Sequence, residues 1–177
     1  MEKILGQYGR VTIYMEGNHP SPMYYVDGGS EPNPYGDLAV LLADDELEEV
    51  MYNGGSQCVK VAHRDHGMCR TNIFVDDQQG LEIARNIAAF TSVPLGDGPG
   101  LVPIFDGRLP DGSRVNGTIP PVSPDGPTLT IRKFRDDPLT IIDLVKFGTV
   151  NIRLAAMMWV WIEGLDSRPA NFVIAGG

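Results

Sequence analysis

The sequence predicts an α+β fold, a mixed or antiparallel sheet with flanking helices, and three observations carry that prediction. Several short stretches alternate apolar and polar residues at period two, the signature of strands with one buried face. Turn signals join some of these stretches into hairpins. Helical spacing is confined to a few segments, the clearest of them DDQQGLEIARNIAAFTS.

Length and charge bound the possibilities. A chain of 177 residues is long enough for one domain, or one domain and part of another, and buries roughly 70% of its unfolded surface on folding. The formal net charge of −9 and pI near 4.7 exclude a general nucleic-acid or anionic-membrane binder, because either needs a basic field. No stretch reaches the ~18 consecutive apolar residues of a membrane span. The opening MEKILGQYGR lacks the apolar region of a secretory signal, so a cytoplasmic location is expected.

Taken in order, Val11 to Glu16 and Met23 to Asp27 alternate around a Pro/Asn/Gly-rich turn and predict a hairpin. Leu38, Leu41 and Leu42 have helical spacing, and Leu47 to Tyr52 forms a strand that ends on Asn53-Gly54. The segment QCVKVAHRDHGMCRTNIFV reads as two strands around the turn Arg64 to Gly67. Cys58, His63, His66 and Cys69 lie close enough in sequence to raise a zinc site. In the hairpin register, however, the cysteines fall at different heights of the ladder, so no metal is expected there.

Leu81, Ile83, Ala84, Ile87, Ala88 and Phe90 share one broad face behind two aspartates, which predicts a helix from about Asp77 to Thr91. VPLGDGPG is glycine-rich but lacks the preceding strand and following helix of a phosphate cradle, and reads as a plain loop. Pro110-Asp111-Gly112 suits a three-residue hairpin loop closed by a glycine with positive φ, which pairs Leu109 with Ser113 and Arg108 with Arg114. Like charges placed opposite each other cost stability unless something negative lies between them. That register therefore predicts a bound anion or acidic partner, or neutralisation by Asp106 on the same face as Arg108. In TLTIRKF, Thr128, Thr130 and Arg132 share one face and Leu129, Ile131 and Lys133 the other. The polar face can align with Arg114, Asn116 and Thr118 and gather three guanidinium groups.

Asp137-Pro138 offers an N-cap and a first-turn proline for a helix PLTIIDLVKF closed by Gly148. A second helix, Asn151 to Gly164, contains the nine consecutive apolar residues Leu154 to Ile162. That run is too short for a membrane and too apolar for a surface helix, and it calls for a core that the chain itself does not supply. FVIAGG then reads as a buried strand reaching a glycine pair, the approach to a phosphate-binding loop with Gly176 as its first glycine.

The stretches YGDLAVLLADDELEEVMYNGG, VKVAHRDHG, DGRLPDGSRVNGTIPPVSPDGPTLTIRKF, DPLTIIDLVKFGTV and FVIAGG resemble successive blocks of the type II/type IV secretion ATPase superfamily, most of all the archaeal pilus and archaellum motor ATPases. The resemblance runs from about Tyr35 to Gly177, with LPDGSRV and TIRKF its specific part and LGDGPG a departure from the pattern. It implies an α+β N-terminal domain over residues 1–135, an interdomain linker over 136–149, and over 150–177 the truncated start of a RecA-like ATPase domain, with Gly176 and Gly177 opening its Walker A loop. It implies that Arg114 and Arg132, with Arg108 as a weaker match, reach nucleotide phosphates across the domain or subunit boundary. It further implies ATP and Mg²⁺ in the complete protein, a homo-hexameric ring, a membrane platform protein as partner, and a peripheral place at the cytoplasmic membrane. On this reading the chain alone lacks ATPase activity. The alternative is a non-catalytic α+β adaptor whose arginine hairpin binds an acidic partner.

Overall fold

The computed structural model describes residues 2–28, 33–55, 57–134 and 139–175. The chain divides into two compact units, Met1–Arg135 and Asp136–Gly177.

The first unit is built on a nine-stranded sheet. Its strands are β1 (Lys3–Tyr8), β2 (Val11–Met15), β3 (Met23–Val26), β4 (Leu47–Tyr52), β5 (Cys58–His63), β6 (Gly67–Phe74), β7 (Ile104–Arg108), β8 (Arg114–Thr118) and β9 (Thr128–Arg132). They lie in the order β1-β2-β3-β6-β5-β4-β9-β8-β7. Every neighbouring pair is antiparallel except β3 with β6, which makes the sheet mixed. Two helices precede or interrupt these strands: α1 (Ala39–Leu42), entered through a 3₁₀ turn at Gly36–Leu38, and α2 (Asp77–Phe90).

Alternation along the strands sorts the side chains onto two faces. Ile13, Tyr24, Val50, Tyr52, Val59, Val61, Cys69, Phe105, Val115, Leu129 and Ile131 point inward and are almost completely buried. Leu38 and Leu41 join them, as do Ile83, Ala84, Ile87 and Ala88 of α2. Helix α2 starts where expected because Asp76 accepts from the Gln79 amide at 2.8 Å while the Gln79 side chain accepts from the Asp76 amide at 3.1 Å. It lies close on the sheet at Gly80, where a Cβ would stand 2.4 Å from the Tyr52 ring. Phe90, placed on the buried face by its spacing, is 45% exposed because it falls at the last position of the helix. On the opposite sheet face the described side chains of β4, β7, β8 and β9 are half-buried or exposed.

Two strand features differ from the sequence prediction. The first strand, β1, lacks a period-two signature because KILGQY carries an internal glycine and a bulge between Ile4 and Gly6 that breaks its alternation. The parallel contact of β3 with β6 joins segments far apart in sequence and has no local signal.

The second unit contains α3 (Ile141–Lys146) and α4 (Ile152–Glu163). The helix predicted from Pro138 begins later. Thr140 is its N-cap, in a reciprocal box with Asp143, while Asp137 and Pro138 lie outside the described residues. Gly148, with φ +75°, follows its end as expected. Helix α4 is capped by Asn151 and ends at left-handed Gly164, and none of its residues is buried. The strand predicted at FVIAGG does not form over 171–175, where Val173 is 92% and Ile174 79% exposed. An apolar run becomes a strand only beside a partner strand, and the described residues of this unit are helical or irregular. Gly176 and Gly177 lie outside the described residues. No described helix is long and apolar enough to cross a membrane.

Candidate anion site on the open sheet face

The hairpin β7–β8 closes as its turn residues dictate. The Leu109 amide donates to the Ser113 carbonyl at 2.8 Å, the Gly112 amide donates to the Leu109 carbonyl at 2.9 Å, and Gly112 takes φ +87°. That conformation is strained for any residue with a Cβ. Arg108 consequently stands opposite Arg114, and on the other side of β8 Arg114 stands opposite Arg132. The register continues through Asn116 with Thr130 and Thr118 with Thr128, whose hydroxyls lie 2.7 Å apart. Three arginines thus form one row across three adjacent strands, spanning about 10 Å at the usual strand spacing. The next strand, β4, places Glu49 opposite Arg132.

The predicted neutralisation is partial. Asp106 receives a two-pronged contact from Arg114, Nη2 to Oδ2 at 2.8 Å and Nε to Oδ1 at 3.2 Å. The Arg114 hydrogen bond holds the Asp106 carboxyl below its usual range, and the carboxylate raises the guanidinium in return. The two side chains are 68% and 48% exposed, so water screens the pair and it contributes little to stability. Among the described residues neither Arg108 nor Arg132 has an ion-pair or hydrogen-bond partner, and Glu49 forms no ion pair with Arg132. A planar guanidinium fork suits the oxygens of phosphate or carboxylate, and two unpaired forks flanking a weakly paired third form a local basic patch on an acidic chain.

A second cluster, outside the sequence prediction, lies on the buried face of the sheet. Tyr8 donates to Asp44 Oδ2 at 2.8 Å, and Tyr24 donates to the same oxygen. His63, 4% exposed, accepts the Asp65 amide on Nδ1 at 3.1 Å. Its proton therefore resides on Nε2, which faces the Tyr8 hydroxyl at 3.2 Å. Burial, reinforced by the neighbouring His66, lowers the His63 pKa, and burial raises those of Tyr8 and Tyr24. Lys133, on the inward face as predicted, donates to the Asp44 carbonyl, and burial lowers its pKa. The cluster draws on β1, β3, β5 and the loop before β4. The one local hint was the inward position of His63 in the alternating run CVKVAH. Cys58 pairs opposite Phe74 and Cys69 opposite Val61, as the hairpin register requires. Among the described residues no group of three or more His, Cys, Asp or Glu side chains is arranged to hold a metal.

No family model matches the chain. It is 49% identical over 141 residues to uncharacterized protein MJ0781 of Methanocaldococcus jannaschii, covering 79% of this chain and 19% of that protein. It is 38% identical over 130 residues to uncharacterized protein MJ0900 of the same organism, covering 72% of this chain and 23% of that one. The chain thus spans about a fifth of the length of these two relatives. Among solved structures it resembles the VirB11 ATPase of the Brucella suis type IV secretion system, solved with sulphate, at a TM-score of 0.50 and 19% identity. That match covers 73% of this chain and 40% of the other, and shows a shared fold.

Proposed function

We propose that the chain is the N-terminal part of a secretion or pilus-assembly ATPase, and that Arg114 and Arg132, with Arg108 beside them, contact the phosphates of a nucleotide held against the open sheet face. The carrying observation is the row of three arginines on adjacent strands, in which a single exposed carboxylate, Asp106, holds one guanidinium among the described residues. The fold shared with a secretion ATPase and the likeness to much longer archaeal proteins support the same reading.

On this reading the described residues suit the phosphate end of ATP, whereas Mg²⁺ and the phosphate-loop lysine would be held by a following motor domain that Gly176 and Gly177 open. Bound Mg²⁺ would supply charge neutralisation at the transferring phosphoryl group. The arginines would stabilise the negative charge that builds on its equatorial oxygens as the domains close. Six copies would form a ring and pass the motion to a membrane platform protein.

Titration of the chain with inorganic tripolyphosphate at low salt tests the arginine role. Wild type should bind, and Arg132→Ala should weaken binding about ten-fold or more, as loss of a charge-assisted contact requires. Binding indifferent to both Arg114→Ala and Arg132→Ala would contradict it. The Arg114–Asp106 pair favours a second reading, an adaptor that docks a carboxylate-rich protein partner through the same row. In that case tripolyphosphate binds no better than sulfate.

A further inference from the structure

The hairpin tip beside the arginine row carries a buried hydroxyl. Ser113 is 1% exposed. Its Oγ donates to Asp111 Oδ2 at 2.8 Å and accepts from the Phe134 amide at 2.9 Å, while its own amide donates to Asp111 Oδ1 at 3.0 Å. The two ladders of β8 both end on arginine rungs, Arg108 with Arg114 and Arg114 with Arg132. Like charges at a terminal rung push the strand ends apart, and the end of a ladder is where the backbone opens most easily. The Ser113 hydroxyl lies one residue past the rung on β8, and its partner, the Phe134 amide, lies two residues past it on β9. On the other side of β9, the Lys133 amide donates to the Glu48 carbonyl at 2.9 Å and the Lys133 ammonium donates to the Asp44 carbonyl. The exit of β9 is therefore clamped from both sides beyond its arginine.

We infer that Ser113 is a positioning residue for the Arg114–Arg132 pair, its hydroxyl tying the hairpin tip to the exit of β9 so that both guanidinium groups face one polyanion. The inference rests on the phosphate reading of the row and adds to it the device that offsets the repulsion of an empty site. A polyanion bound by both forks supplies the missing negative charge. Without the Ser113 bond, part of its binding energy is spent closing the rung, and affinity falls.

A double-mutant cycle tests this with inorganic tripolyphosphate titrated calorimetrically into wild type, Ser113→Ala, Arg132→Ala and the double variant at low salt. Ser113→Ala should weaken binding about ten-fold, the worth of one hydrogen bond, and should have little further effect once Arg132 is gone. A Ser113→Ala affinity equal to wild type overturns the inference while leaving the arginine role intact. The same holds if Ser113→Ala costs an equal factor with and without Arg132, the mark of a merely structural residue. Absent wild-type binding, or binding indifferent to Arg132→Ala, overturns the phosphate reading and this inference with it. Should Ser113→Ala fail to fold, Ser113→Cys keeps the charge and nearly the shape but offers the Phe134 amide only a weakly accepting sulfur. It should weaken binding in the same direction by about three-fold, and an unchanged affinity overturns the inference.

Discussion

Arg114 and Arg132 face each other on the last rung between β8 and β9, and Asp106 embraces the first with both oxygens while Arg132 has no partner among the described residues. Asp106 is thus a built-in competitor for any anion that needs Arg114. Asp106→Asn should tighten tripolyphosphate binding a few-fold, because an exposed pair of this kind is cheap to break. Affinities of the two proteins measured at low and moderate salt check this. Weaker binding by the variant would make Asp106 part of the site instead of its rival.

His63 is buried neutral, with Nδ1 accepting from the Asp65 amide and Nε2 directed at Tyr8, which is bound in turn to Asp44. Its folded pKa lies below the ordinary 6.5 of the unfolded chain. The unfolded state therefore takes up the proton first. Stability is full above about pH 6.5 and declines as pH falls from there through the folded value. Protonation also places a hydrogen on Nδ1, where the Asp65 amide already donates. Urea unfolding between pH 7.5 and 5 should show this decline, and His63→Gln should flatten it while costing about 1–2 kcal/mol at pH 7.5 from lost hydrogen bonds. The same slope in both proteins would assign the pH dependence to other groups.

The arginine row was legible in the sequence because it depends on local rules. Pro110-Asp111-Gly112 sets the turn, the turn sets the register of Arg108 with Arg114, and alternation puts Arg132 on the matching face. The buried cluster was not legible. Tyr8, Tyr24, Asp44 and His63 meet only because the parallel contact of β3 with β6 docks the N-terminal strands onto the β5–β6 hairpin, and no periodicity encodes a crossover between distant strands. The strand expected at FVIAGG is absent over 172–175 for a related reason, since an apolar run becomes a strand only where a neighbouring strand offers it hydrogen bonds.

Helices α3 and α4 leave Ile142 63%, Ile152 73% and Trp159 62% exposed. With Ile141, Val145, Ala155 and Ala156 these side chains line one apolar groove, and an exposed apolar patch of this kind favours association. Removing residues 151–177 should leave the nine-stranded unit folded with a cooperative transition and lower the tendency to self-associate. Sedimentation velocity over a concentration series checks it. Unchanged association after the deletion would show that α4 does not carry the sticky surface.

The most direct measurement is steady-state, Mg²⁺-dependent ATP hydrolysis by a polypeptide in which this stretch is joined to the motor domain that the proposed function requires. Arg114→Ala and Arg132→Ala should each lower kcat by on the order of 10³ with the fold intact, as loss of an arginine finger does. Lysine at either position should rescue poorly, since it cannot supply the planar two-pronged contact. Near wild-type kcat in both alanine variants would contradict the account and leave the row as a docking surface.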